Sequence, residues 1–304
     1  MTALYLGTSG WSYPDWVGNF YPGEIKPIHY LPYYASKFPS VELDSTFYSS
    51  PDSDVVVKWR EKVPSHFLFS PKFPKQITHE KKLMDCQQEV RDFIESISLL
   101  EDRLGPLLIQ LPYGMKWSDF RTFEMFLPTL PEGYQYAIEV RHRSWLTQKF
   151  YDFMRARDLA LVLYDHPWLP RITNITGNFV YIRWLGDKNL IRKNYDVPKI
   201  DRTRKMYWWA EVIRSAMQKN FPVFGYFNNN FCGHAPSSVW LLEDILANRP
   251  PRPGVLPPIS KAKNARRKQK PVEKLPSFAG TEKQIFFDKE SPILDIGNEN
   301  DAVS

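Results

Sequence analysis

The chain has 304 residues, a formal net charge of +6, 43% hydrophobic and 15% aromatic residues, and two cysteines. This is the profile of a globular protein with a large, aromatic-rich core. No apolar run reaches the roughly 18 residues of a membrane span, and Met1-Thr2-Ala3-Leu4-Tyr5 shows no basic region followed by an apolar leader, which predicts a cytoplasmic protein without membrane attachment.

Eight short apolar runs follow one another along the chain, at 4–11, 41–48, 67–74, 106–112, 135–142, 159–165, 179–186 and 222–230. Nearly all end in polar or charged side chains before a stretch with helical period. In 87–104 the apolar residues Val90, Phe93, Ile94, Ile97, Leu100 and Leu104 fall on one helix face, and Gly105-Pro106 stops the helix. The stretch 202–219 repeats the device with Met206, Trp209, Ala210, Ile213 and Met217. Strand and helix repeated eight times predict an α/β fold, an eight-stranded parallel β/α (TIM-type) barrel, in which chemistry sits at the C-terminal ends of the strands.

Strand side chains alternate, so the parity of each run separates residues facing the barrel axis from those facing the helices. In chain order the inward set is Glu42, Asp44 and Thr46 from the second run, Ser70 and Lys72 from the third and Gln110 from the fourth. The fifth gives Glu139 and Arg141, the sixth Asp165, the seventh Tyr181 and Arg183, and the eighth Tyr226 and Asn228. A barrel interior built for stability alone would use Val, Ile and Leu, so this many charges at one end points to a ligand site. The structural alternative is a salt-bridge layer pairing Glu139 with Arg141, Asp44 with Lys72, and Asp165 with Arg183.

Three loops on the same side support a site. Trp11-Ser12-Tyr13-Pro14-Asp15-Trp16 offers aromatic faces for stacking on a base or sugar. The stretch 187–201 carries Lys188, Arg192, Lys193, Tyr195 and Lys199, a set suited to phosphate or carboxylate. Asn228-Asn229-Asn230, followed by Gly233, gives amides for hydrogen bonding.

After Asn248 the composition changes to Arg249-Pro250-Pro251-Arg252-Pro253-Gly254, which predicts a barrel domain over 1–248 and a Pro-rich, largely disordered tail over 249–304. The run 249–270 has eight basic residues and no acid, and 271–304 has three lysines against seven acids. The barrel itself is left nearly neutral, and the tail reads first as a solubilising segment, with an electrostatic hold on nucleic acid or another polyanion as the alternative.

Other chemistries have weaker support. His79, His142, His166 and His234 follow strands, but there is no His-x-His, His-x-x-x-His or Cys-x-x-Cys, and three interleaved cations would repel a metal, so no metal site is expected. Cys86 and Cys232 lie in different units and predict no disulfide; Cys232 lacks a His or Asp in register to make it a nucleophile. There is no Gly-x-Gly-x-x-Gly after a strand, no Walker-type loop and no Gly-x-Ser-x-Gly elbow. Carboxylates on the second and fifth strands could serve as acid and base on a glycosidic bond.

Gly7-Thr8-Ser9-Gly10-Trp11-Ser12-Tyr13, Phe20-Tyr21-Pro22, Val41-Glu42-Leu43-Asp44-Ser45-Thr46-Phe47-Tyr48, Ile77-Thr78-His79, Gly105-Pro106-Leu107-Leu108-Ile109-Gln110-Leu111-Pro112, Glu139-Val140-Arg141-His142-Arg143-Ser144-Trp145 and Tyr226-Phe227-Asn228-Asn229 stand in one order over most of the chain. In that order they resemble the YecE-like barrels of domain-of-unknown-function family 72. The resemblance implies a β/α barrel, similar in fold to the broad group that contains metal-using apurinic endonucleases and xylose isomerases, and implies no particular reaction. The chain departs from the pattern where Arg183-Trp184-Leu185-Gly186 replaces Arg-x-His-Gly, where Asp44 replaces Asn, and where Ser238 replaces Asn.

The expected function is therefore a hydrolase or lyase acting on a phosphorylated sugar or nucleic-acid component. Glu42, Glu139 and Asp165 are its candidate catalytic residues. Trp11, Tyr13, Asp44, Lys72, Gln110, Arg141, Arg183, Tyr226 and Asn228 are its candidate binding residues. The alternative is a non-catalytic nucleic-acid-binding barrel assisted by the basic tail. The partner in either case is an anionic small molecule or nucleic acid.

Overall fold

The computed structural model describes residues 2–258. The strands there are β1 (Leu4–Thr8), β2 (Ser40–Leu43), β3 (Leu68–Pro71), β4 (Leu107–Gln110), β5 (Tyr136–Glu139), β6 (Ala160–Leu161), β7 (Leu163–Asp165), β8 (Val180–Trp184) and β9 (Val223–Phe227). Every pair among them is parallel, and residues of both inner and outer parity are buried, as parallel strands with apolar cover on each face require. The sixth apolar run is divided between β6 and β7: Val162, between them, donates its N–H to Ile138 O at 2.9 Å, while β6 pairs with β5 and β7 with β8.

The ladders form three sheets, in the orders β1-β9-β8-β7, β2-β3 and β4-β5-β6. Among the described residues this is an α/β fold of parallel sheets, not one continuous closed sheet of eight strands. Isolated parallel bridges join the sheets at Ser9–Glu42 and Lys72–Leu108.

The helices are α1 (Tyr30–Ala35), α2 (Ser53–Glu61), α3 (Gln87–Ser98), α4 (Phe120–Phe126), α5 (Gln148–Arg155), α6 (Thr203–Gln218) and α7 (Ala235–Leu246). Val90, Phe93, Ile94 and Ile97 of α3 and Met206, Trp209, Ala210 and Ile213 of α6 are buried, as their spacing predicts. Each such large apolar side chain stabilises the fold by about 1.5–3 kcal/mol. No helix described is long and apolar enough to cross a membrane.

The strand–helix alternation breaks once, for no helix is described between β7 and β8. Pro167 and Pro170 deny that segment two helical N–H donors. Its later part is tied instead to β6, where Thr176 Oγ1 donates to Leu159 O at 2.7 Å and accepts from Leu161 N at 2.8 Å. Gly177 passes so close that a Cβ there would stand 2.9 Å from Ala160 N.

Two apolar regions result. The larger lies between strands and helices; the smaller contains Leu108, Ala137, Val162, Tyr164, Tyr181, Phe224 and Tyr226, the inner parity of the strands. Within it the Tyr226 hydroxyl bridges Ser40 Oγ at 2.7 Å and Ser70 Oγ at 2.6 Å, linking β9 to the β2-β3 sheet by polar contacts.

The Pro-rich segment, expected to begin a disordered tail after Asn248, instead packs on α7 over its described part. Arg252 Nη2 lies 2.8 Å from Asp244 Oδ1, and Val255 is buried. Desolvation of a carboxylate on α7 is thus offset by an arginine from the segment itself, which holds that segment down. The rest of the expected tail, residues 259–304, lies outside the described residues, and with it most of the basic run.

Tyr226→Phe keeps the ring but leaves buried serine hydroxyls short of a partner. Its expected cost is about 1–3 kcal/mol, read as a lower urea midpoint with unchanged folded-state near-UV circular dichroism.

Candidate active site

Arg183, the fourth residue of β8, has inner parity and is 1% exposed. Its Nη2 lies 2.7 Å from Glu42 Oε1 on β2, and its Nη1 lies 2.5 Å from Glu139 Oε2 on β5. One guanidinium therefore joins residues of all three sheets. Both carboxylates are fully buried and further satisfied: Glu42 accepts from Ser9 Oγ at 2.7 Å and Tyr181 OH at 2.8 Å, and Glu139 accepts from Gln110 Nε2 at 3.2 Å and pairs with Arg141. Burial alone would raise the Glu139 pKa; Arg141 and Arg183 outweigh it and hold the carboxyl at about 2. Arg183 is held well above its ordinary value, because Glu42 and Glu139 overcome its desolvation.

A second tier stands beyond this layer. Asp44 follows β2, with a third of its side chain exposed, and contacts Lys72 Nζ at 3.2 Å and Arg183 Nη2 at 3.6 Å. Burial works against its charge, but Lys72 and Arg183 prevail and keep its pKa below the ordinary carboxylate value. Lys72 is 6% exposed, with its ammonium 4.0 Å from the Phe47 ring centroid. Its pKa is lowered, first by burial and also by Arg183. On another side Arg141 Nη1 donates to Tyr113 OH at 2.7 Å, and that hydroxyl lies 3.3 Å from His166 Nε2. Burial, helped by Arg141, pushes the His166 pKa down to about 4, so the imidazole is neutral at neutral pH.

A cavity of about 470 Å³ opens above the second tier. Its lining includes Tyr13, Asp44, Tyr48, Lys188, Arg192 and Asn228. Tyr13 is fixed by donating to Ser9 O at 2.8 Å and by packing on Trp16, whose indole N–H reaches Asn229 Oδ1 at 3.2 Å. Asn228 Oδ1 accepts from Asn230 N at 3.0 Å, as a turn-forming side chain does. The segment after β8 reaches the cavity because Gly186, at φ +67°, lies against Asn230; a Cβ there would stand 2.1 Å from the Asn230 carbonyl oxygen. Lys188 and Arg192 are exposed, and Lys188 forms no ion pair among the described residues.

The residues that parity turns inward, Glu42, Glu139, Arg183, Gln110, Arg141, Asp44 and Lys72, thus come together, and Asn228 joins the loop residue Tyr13 on the cavity wall. Asp165 is elsewhere. Val162 and Tyr164 take the inner positions of that run, so Asp165 points to α6, pairing with Lys205 Nζ at 2.6 Å and Trp209 Nε1 at 3.2 Å. The expected Asp165–Arg183 pair does not form; the Glu139–Arg141 and Asp44–Lys72 pairs do. Tyr226 is wholly buried with its hydroxyl on two serines, and Trp11 packs edge-on against Trp59 and Phe69 in the outer core. Thr46 is buried too, donating to Leu43 O and Lys72 O at 2.7 Å. Leu185, where the resembled pattern has His, packs against the inner apolar cluster.

Tyr48 and Tyr113 were not singled out from the sequence, although each directly follows a strand-end motif. Both are more than half exposed, and Tyr48 lines the cavity. Burial pushes the Cys232 thiol up to about 12, which leaves it protonated and unsuited to attack. The charged layer does not suit the divalent ion of the broader fold group, because Arg183 occupies the position between Glu42 and Glu139 that a shared ion would need. Among the described residues no group of three or more His, Cys, Asp or Glu is arranged to hold a metal. The same guanidinium fills the gap that an acid–base pair across a glycosidic bond requires.

Residues 5–263 match the family model described as protein of unknown function DUF72. The chain is 35% identical over 145 residues to UPF0759 protein YecE of Escherichia coli (strain K12), covering 48% of this chain and 51% of that protein, so the match spans about half the length of this relative. It is 27% identical over 261 residues to UPF0759 protein YunF of Bacillus subtilis (strain 168), covering 76% of this chain and 90% of that one. Among solved structures, a DUF72 family protein from Thermotoga maritima MSB8 superposes with a TM-score of 0.68 at 27% identity, covering 81% of this chain and 98% of that chain. One from Enterococcus faecalis V583 also gives 0.68, at 24% identity over 80% and 95% of the two chains.

Removing one partner of a buried charge cluster strands the others. Arg183→Met is expected to cost about 3–5 kcal/mol, measured by chemical denaturation. His166, neutral in the fold, takes up a proton more readily when unfolded, so stability falls as pH drops from 6.5 towards about 4. His166→Gln is expected to give a shallower fall across that window, read from denaturant midpoints at successive pH values.

Proposed function

We propose, from the premise that the chain belongs to the DUF72 family of proteins of unknown function, that its cavity binds a phosphorylated sugar or a nucleotide-derived sugar phosphate and acts on it as a hydrolase or lyase. The observation that carries the reading is a paired layer of buried charge set directly beneath a polar cavity. Asp44 belongs to both, touching Arg183 below and lining the cavity above. A volume of about 470 Å³ is within the usual range for small-molecule sites.

The roles follow from exposure. Lys188 and Arg192 are solvent-facing cations on the cavity wall that suit a phosphate, while Asn228 and Tyr13 offer an amide and a ring to a sugar. Asp44 is the carboxylate that lines the cavity, and we assign it the proton transfers. Glu42 and Glu139 are too well enclosed to exchange protons with a ligand directly. Their part is to hold Arg183, whose positive charge keeps Asp44 ionised beneath a bound anion. We further propose that the three sheets act as one eight-unit barrel, which the bridges Ser9–Glu42 and Lys72–Leu108 support and which would put the cavity at its C-terminal mouth.

Isothermal titration with ribose 5-phosphate tests the reading. Lys188→Ala and Arg192→Ala are each expected to weaken binding about tenfold, or about 1.4 kcal/mol, with the melting temperature unchanged. Equal affinity in both variants would contradict the assignment of the phosphate to this loop.

A further inference from the structure

Tyr13, Tyr48 and Tyr195 all line the cavity, but their hydroxyls are not equivalent. Tyr13 OH donates to Ser9 O at 2.8 Å, and Tyr195 OH donates to Arg192 O at 3.2 Å while accepting from Asn230 Nδ2 at 3.3 Å. Both are thus tied to the protein's own polar groups. Tyr48 is 71% exposed, and its hydroxyl makes no hydrogen bond among the described residues.

An exposed tyrosine is ordinary by itself, but this one stands on a rigid support. Its N–H donates to Ser45 O at 3.1 Å and closes the single 3-10 turn Asp44–Phe47. Thr46 pins that turn from inside, with its hydroxyl 2.7 Å from both Leu43 O and Lys72 O and accepting from Lys72 N at 3.0 Å. The Tyr48 ring meets Phe47 at 5.3 Å between centroids and 83° between planes. Phe47 is packed in turn against Lys72 Nζ, at 4.0 Å, and the His79 ring, at 4.9 Å. A perpendicular contact covers at most one face of Tyr48, and among the described residues no other ring packs on it. One aromatic face is therefore held open on the cavity wall.

The same turn carries Asp44, so acid and ring meet a ligand from one support, while Lys188, Asn189 and Arg192 meet it from the segment after β8. Asn189 Oδ1 accepts from Arg192 Nη2 at 3.2 Å, which leaves its Nδ2 to donate. A pentose phosphate is small for about 470 Å³, and its phosphate and hydroxyls leave the Tyr48 ring without a part. A planar heterocycle with ring-nitrogen or carbonyl acceptors at its edge would use both the open face and the amide.

We infer that Tyr48 is a stacking platform for a nucleobase, so that the ligand of the cavity is a nucleoside monophosphate rather than a bare sugar phosphate. The inference rests on the sugar-phosphate reading above and adds the group attached to the sugar. Phosphate on Lys188 and Arg192, sugar beside Asp44 and Asn228, and base on Tyr48 would give each part of one nucleotide a partner on the wall.

Isothermal titration of the full chain with adenosine 5′-monophosphate, ribose 5-phosphate and sucrose 6-phosphate tests it, the last carrying a second sugar in place of a base. Adenosine monophosphate is expected to bind about tenfold tighter than either sugar phosphate. Tyr48→Ala should bring it down to the affinity of ribose 5-phosphate and leave ribose 5-phosphate itself unaffected. Tyr48→Phe, which keeps the ring, should retain the difference, and the melting temperature should be the same in both variants as in the parent. No advantage for adenosine monophosphate, an advantage matched by sucrose 6-phosphate, or one that survives Tyr48→Ala would overturn the inference. If ribose 5-phosphate still binds in that case and is weakened by Lys188→Ala, the sugar-phosphate reading stands without the base; if none of the three probes binds, both fail.

Discussion

The contact on which the site depends is the pair of ion pairs made by Arg183. A buried guanidinium is tolerated only where carboxylates meet it with good geometry, and here Glu42 and Glu139 approach it from different sheets. Ser9, Tyr181 and Gln110 supply the remaining donors, so the carboxylates are satisfied rather than merely neutralised. The consequence is positional. β2, β5 and β8 cannot slide past one another without breaking a buried charge contact, and Asp44 and Lys72 are held in place above.

The interior is therefore graded along the strands. At one level Tyr226 joins Ser40 and Ser70 through neutral hydroxyls. At the next, Glu42, Glu139 and Arg183 exchange full charges, and beyond them Asp44, paired with Lys72, meets a cavity. Polarity rises toward the opening, where each step is less costly because water is nearer. Such a gradient suits a site whose outer groups must change protonation or bonding while its inner groups must not. It also divides labour among the acids, since depth rather than residue type decides which carboxylate can meet a ligand.

Much of this was legible in the sequence. Alternation within Val41-Glu42-Leu43-Asp44 and Ala137-Ile138-Glu139 fixes which acids turn inward, because a regular strand leaves no other choice. The pairs Glu139–Arg141 and Asp44–Lys72 follow from neighbouring strands carrying opposite charges at like depth. Parity misled at Asp165, where an apolar stretch gives no sign of which apolar residues are inner. Val162 and Tyr164 fill the interior there, and Lys205, remote in sequence, receives the acid. Trp11 looked like a loop aromatic but packs on Trp59, a partner that local pattern does not reveal. The missing helix after β7 was written in Pro167 and Pro170, yet periodicity elsewhere was regular enough to hide it. Tyr48 and Tyr113 stayed unremarked because single aromatics after strands carry no spacing signal.

The central claim is that the charged layer is kept for the ligand rather than for stability. Replacing all four members by neutral groups of similar size, as Glu42→Gln, Arg183→Met, Glu139→Gln and Arg141→Met together, removes the desolvation cost along with the attraction. Denaturant unfolding and ribose 5-phosphate titration of that quadruple variant test the claim most directly. The account predicts a protein at least as stable as the parent that has lost its ligand. A quadruple variant that is severely destabilised, or that binds the sugar phosphate as the parent does, would contradict it.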